Sequence, residues 1–152
     1  MPTDPHSLLD RERIIDRITT LFVSTDARDW SAVESCFTAD VLFDMTSMTG
    51  GAPKRIPASQ IVEGWRTGLA PIHSVHHQAG NFRVEVADAR ATAFCYGIAL
   101  HYLPNPTGRN TRMFVGSYDF GLERQGDDWR IAAFRFTLKF LDGNADLEKD
   151  AR

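Results

Sequence analysis

From residue 82 to residue 141 the chain reads as four long strands in succession. Phe82, Val84 and Val86 alternate with Arg83 and Glu85, and strand patterns follow over 91–103, 112–124 and 129–141. Short polar turns at 87–89 and 125–128 separate them, and Gln125-Gly126-Asp127-Asp128 is the stronger turn signal. Strands joined this tightly pair antiparallel, so this half of the chain is restricted to a meander that must twist and curl. Ahead of it the apolar period changes to that of a helix. Leu8, Ile14, Ile15, Ile18, Leu21 and Phe22 predict a helix running to about Asp26. A short second helix over 30–37 follows its cap Asp29, then a strand over 41–45 and a Gly/Pro-punctuated, mobile loop over 46–54. Ile61, Val62, Trp65 and Leu69 predict a third helix over 59–69. The order implies an α+β fold, three helices packed on one face of a strongly curved sheet.

One domain spanning 1–152 accounts for the length, and 43% apolar with 24% charged residues is a globular balance. A net charge of −3 lacks the basic footprint of a nucleic-acid binder. No apolar run approaches the roughly 18 residues of a membrane span. Residues 1–10 show no positively charged start and no apolar core, so no secretory leader is expected and the expected location is cytoplasmic. Cys36 and Cys95 lie in different elements without C-x-x-C spacing and read as free, buried thiols.

Three features fit poorly with a purely structural role. Asp26 falls on one helical stripe with Ile15, Ile18 and Phe22, facing the sheet, unless it caps the turn past the helix end. In the strand over 91–103 the odd positions Ala91, Ala93, Cys95, Gly97 and Ala99 are small and lead to His101; Phe94, Tyr96 and Ile98 stand on the bulky face. Small residues there allow either close helix packing or a cavity with His101 in its wall. Finally, His76 and His77 are adjacent and point to opposite sides, and a bulge at Gly80 decides which faces inward. No third ligand is spaced to complete a metal site with His73 and His77, so none is expected. Asp26, His77 and His101 together form an acid–base set. No nucleophile elbow, dinucleotide fingerprint or P-loop is present.

The stretches ARDWSAVESCFTADVLFDM, IVEGWR, HHQAGNFRVEV and GDDWRIAAF resemble the nuclear transport factor 2-like superfamily, within it the SnoaL-like branch that includes scytalone dehydratase. The resemblance runs from about Leu8 to Leu141 and implies a cone-shaped, mixed but mostly antiparallel sheet with the helices on its concave side. It implies catalytic roles for three residues: Asp26 supporting a catalytic histidine, His77 as general acid and base, and His101 as second active-site histidine. Thr25 and Met45 replace two tyrosines of the family, and Tyr118 replaces an asparagine. With Phe22 and Trp65, these complete the expected substrate-binding set.

The expected function is a cofactor-independent lyase, dehydratase-like, or isomerase acting on a small apolar cyclic or aromatic carbonyl compound. In it His77 moves the proton, and His101, charged and oriented by Asp26, stabilises the oxygen. Met45 and Met48 of the 46–54 region would cover the mouth. One alternative is a ligand-binding or assembly module such as the small subunit of a ring-hydroxylating oxygenase. Another is a steroid-type double-bond isomerase or polyketide cyclase with Asp44 or Asp119 as base. A convex face carrying Phe94, Tyr96, Ile98 and also Phe134, Phe136 and Phe140 predicts a homodimer or homotrimer.

Overall fold

The computed structural model describes residues 4–151; residues 1–3, the start of the segment read for a leader, and residue 152 lie outside the described residues. Helix α1 (Pro5–Asp26) begins at Asp4, whose side chain accepts from the His6 N–H at 3.3 Å, with Pro5 in the first turn. Its buried stripe is Asp10, Ile14, Ile18, Leu21, Phe22 and Thr25, so Ile14 rather than Ile15 faces the core. The helix ends where Arg28 takes a positive φ of 58°. The Arg28 guanidinium then donates to the carbonyls of Leu69, at 2.8 Å, and Ile72.

Helix α2 (Trp30–Ser35) is capped by Asp29, which accepts from the Ala32 N–H at 3.1 Å. It is shorter than its sequence pattern because Phe37 belongs to the sheet. Strand β1 (Phe37–Asp44) starts there, with Phe37 opposite Ile131. The 46–54 region is more ordered than its composition implies. It holds a one-turn helix α3 (Thr46–Thr49) and opens strand β2 (Lys54–Pro57). The Ser47 hydroxyl donates to the Phe136 carbonyl at 2.9 Å and accepts from the Leu138 N–H at 3.0 Å, pinning the turn to the sheet. Helix α4 (Ala58–Leu69) precedes the meander of β3 (Ser74–Ala87), β4 (Arg90–Tyr102), β5 (Thr111–Gln125) and β6 (Asp128–Gly143), and a one-turn α5 (Leu147–Asp150) follows.

The six strands lie in the order β2-β1-β6-β5-β4-β3, antiparallel throughout except for the parallel β1–β6 pair. α1 packs across β3 and β6, α4 against β1 and β2, and α2 bridges the two helices. Trp129 and Ile131 of the sheet and Ile14, Ile18 and Leu21 of α1 have no exposed surface and share one core with Leu122, each burial worth about 1.5–3 kcal/mol.

Register shifts bend the sheet around this core. In β6 one falls between Ile131 and Ala133, and a second leaves Lys139 as an extra residue between the Gly116–Leu138 and Val115–Phe140 pairs. The second shift explains a correction to the expected convex face. Phe134 and Phe136 point inward and are buried, whereas Phe140, past the bulge, is 51% exposed on the outside.

Candidate active site

The small face of β4 does make a cavity. Ala91, Ala93 and Cys95 are buried beneath the core, but at Gly97 the aromatic ring of Tyr118 lies directly on the strand, and a Cβ there would sit 2.1 Å from it. Beyond Gly97 the same face, through Ala99 and His101, walls a cavity of about 190 Å³. Phe22 and Thr25 of α1, Met45, Met48, Trp65, His77 and Tyr118 contribute to its lining. Every residue expected to touch substrate therefore faces this one space; Asp26 stands behind His77. Leu69, Phe114, Phe134 and Phe136 complete an almost wholly apolar wall, and the last two were expected on the opposite face. A dry cavity of about 150 Å³ accommodates benzene, so this one suits a single-ring compound.

His77 reaches the cavity because β3 changes register. His77 pairs with Ala99, but Arg83 pairs with Phe94, so the strand gains a residue between Gly80 and Arg83 and Asn81 adopts a φ of 59°. Below the bulge the inward residue is His77, and His76 is exposed. Asp26, at the last position of α1, grips His77 twice. Oδ1 lies 2.6 Å from the ring Nδ1, and Oδ2 accepts from the His77 backbone N–H at 2.8 Å. The carboxylate is thus on the inward stripe and does not cap the turn past the helix. Nδ1 is committed to it, which leaves Nε2 as the second nitrogen of a ring that lines the cavity. Phe22 stacks on this ring at 5.2 Å and 16° and fixes its plane.

His101 has different partners from those expected. Its Nδ1 lies 2.9 Å from Nη2 of Arg112, directly across the β4–β5 ladder, and Arg112 donates to both carboxylate oxygens of Glu148 in α5 at 2.8 and 2.6 Å. Burial, then the neighbouring Arg112 charge, lowers the His101 pKa from 6.5 to about 4. The ring is therefore uncharged at neutral pH, and Asp26 orients His77 instead. His77 and His101 stand on adjacent strands two positions apart on one face, a backbone separation of roughly 7–8 Å.

Sequence reasoning missed Arg112 and Glu148. The first had a signal, since Arg112, Phe114, Gly116, Tyr118, Phe120 and Leu122 share the inward face of β5 and only one of them is charged. Glu148 had none, lying in a polar tail after the last strand. Tyr118 is 5% exposed, and burial raises its phenol pKa well above the ordinary 10, so it stays protonated. Among the described residues its hydroxyl has no hydrogen-bond partner. Asp44 and Asp119 do not line the cavity: Asp44 accepts from the Thr46 N–H and hydroxyl, and Asp119 pairs with Arg135 at 3.0 Å on the outer face. No three His, Cys, Asp or Glu side chains converge among the described residues, and both cysteines are buried and unpaired. No helix among the described residues is long and apolar enough to cross a membrane.

Several solved structures share this architecture. The Kfla4162 protein of Kribbella flavida is 26% identical, with a TM-score of 0.85 over 92% of this chain and 97% of that one. A LinA-type3 hexachlorocyclohexane dehydrochlorinase from Novosphingobium barchaimii is 18% identical, with a TM-score of 0.74 over 94% and 95% of the two chains. A candidate scytalone dehydratase from Novosphingobium aromaticivorans is 15% identical, with a TM-score of 0.76 over 91% and 90%. At such identity the last two share the fold alone. No curated protein matches the sequence. The family model described as a SnoaL-like domain matches residues 6–135, a span that holds Asp26, His77, His101 and Tyr118 together with the strands that aim them, and the chain belongs to that family.

Proposed function

We propose that the protein is an acid–base lyase of the dehydratase type, or an isomerase, acting on a small neutral monocyclic carbonyl compound. The observation that carries this reading is the two-point contact between Asp26 and His77 at the cavity wall. A histidine whose Nδ1–H is held by a carboxylate presents a lone pair on Nε2, and the carboxylate faces the positive charge that forms when Nε2 takes a proton. In the proposed reaction Nε2 of His77 removes a proton from the carbon next to the substrate carbonyl, the C–H electron pair forms a double bond to the carbonyl carbon, and the carbonyl π pair moves onto oxygen to give an enolate. Tyr118 and His101 supply hydrogen bonds to the oxygen that gains charge. Loss of a β-hydroxyl then takes the proton back from His77, so water leaves and a carbon–carbon double bond remains. Without a leaving group, return of the proton to a different carbon gives an isomer.

The apolar wall supports a substrate without charge, and about 190 Å³ supports one ring. The names of two fold relatives, a dehydrochlorinase and a candidate dehydratase, both denote eliminations, which supports the same reaction class.

The test is hydrogen–deuterium exchange at the carbon beside the carbonyl in a panel of cyclic ketones and β-hydroxy ketones, followed by NMR in heavy water. Exchange above background is expected for at least one compound. His77→Ala should slow it by about 10²–10⁴-fold, the usual contribution of a positioned general base. Asp26→Asn should slow it by at least tenfold. If both variants stay within threefold of the parent protein, the acid–base reading is wrong.

A further inference from the structure

The family match ends at residue 135, yet the chain continues through the second half of β6 and α5 and returns to Arg112, the partner of His101 at the cavity wall. The return is firmly held. Leu147 is wholly buried against Ile72 and Val75. Asn144, 2% exposed, donates through its backbone to the Thr111 carbonyl at 2.8 Å and through its side chain to the Arg109 carbonyl at 3.0 Å. These contacts set Glu148 beneath Arg112, which is itself 9% exposed and has no partner for its Nε among the described residues. One carboxylate thus spans both terminal nitrogens of the guanidinium and fixes its plane.

Arginine only donates and does not lose its proton, so the imidazole nitrogen it meets must accept. In His101 that nitrogen is Nδ1, at 2.9 Å. The single proton of the neutral ring is then on Nε2, at the opposite side. We infer that Arg112 and Glu148 are positioning residues for His101, through which the C-terminal segment holds that ring as a neutral Nε2–H donor to the ligand. This inference rests on the acid–base reading above for its catalytic meaning, but the tautomer can be read without turnover.

The two histidines then have opposite polarity. His77 presents a lone pair and takes protons, whereas His101 presents an N–H and gives only a hydrogen bond. Four charged or titratable groups face His101: Arg112 from β5 and His77 from β3 oppose its protonation, and Glu148 from α5 and Asp26 from α1 favour it. Burial outweighs the last two. An imidazole that gains no proton at neutral pH adds no cation to an apolar cavity, so it selects an uncharged acceptor such as a ketone oxygen over a carboxylate.

The experiment is nitrogen-15 NMR of the imidazoles in the full chain, titrated from pH 3.5 to 8, beside the exchange assay. The parent protein should show His101 as the Nε2–H tautomer with a midpoint near 4. Arg112→Met should raise that midpoint by at least one pH unit and admit the other tautomer. It should also add an inhibited acid limb to the exchange rate. Arg112→Lys, which keeps a charge and a donor, should fall between the two, and it replaces the Met variant if that fails to fold. Glu148→Gln should leave the midpoint below 6.5 but populate both tautomers. A parent midpoint of 6 or above, an Nδ1–H tautomer, or a midpoint unmoved in Arg112→Met overturns the inference. Correct tautomer and shifts in a protein that exchanges no substrate would instead overturn the acid–base reading and leave the positioning role standing.

Discussion

Gly97 and Tyr118 together decide how much room the cavity has. The Tyr118 ring occupies the place where any side chain at position 97 would go. Gly97→Ala is therefore expected to push the ring into the cavity, costing about 1–3 kcal/mol in urea denaturation and weakening the binding of single-ring ketones. His101 gives a second test at this scale. Its pKa falls from 6.5 to about 4 on folding, so between those values the unfolded chain binds a proton there that the folded chain does not. Stability is thus complete above pH 6.5 and falls as pH drops towards 4, by at most about 3 kcal/mol. The lowered carboxylates add their own losses further down, Glu148 starting near its unfolded value of 4.5 and Asp10, Asp44 and Asp128 near 3.8, each continuing as pH falls through the lower folded value. Urea denaturation at pH 7 and 4.5 checks this, and His101→Asn should flatten the difference. Individual side chains were readable from the sequence where type and position conflicted, as with Asp26 on an apolar stripe. The pairing of Asp26 with His77 rather than His101 was not, because it depends on how far α1 reaches across the sheet.

The bulge in β3 is the element that places the acid–base chemistry. Period-two counting puts His76 on the same face as Phe82 and Val84, and only the extra residue between Gly80 and Arg83 brings His77 inward. Asn81 holds that bulge in a left-handed conformation, which costs a side chain without local hydrogen bonding about 1–2 kcal/mol. Asn81→Gly should keep stability within about 1 kcal/mol of the parent protein, whereas Asn81→Val should lose about 1–2 kcal/mol and broaden the His77 NMR signals as the register loosens. Glycine at position 80 marked the bulge in advance, and long alternating runs marked β4, β5 and β6. The short β2 and the turns α3 and α5 carried no such signal, because their formation depends on partners elsewhere in the chain.

Across the whole molecule the outer face of the sheet is left apolar. Tyr96, Ile98, Leu100 and Tyr102 are each between 37 and 45% exposed along β4, and the Ile98–Val115–Phe140 row continues the patch over three strands. We propose that a second copy covers it as a homodimer, since monomers rarely leave such a surface open. Light scattering at micromolar concentration should give twice the chain mass, and Ile98→Asp combined with Phe140→Asp should halve it. A monomeric parent protein contradicts the proposal. The edge of the sheet bears on association too. β3 pairs with β4 on one side only, so the His77 N–H on its other side would be open to any passing strand, and Asp26 Oδ2 occupies it. The carboxylate that orients the ring is at the same time a guard against edge-to-edge aggregation. Replacing Asp26 would therefore free one backbone N–H on the β3 edge as well as the His77 ring, so its loss is felt in association as well as in chemistry.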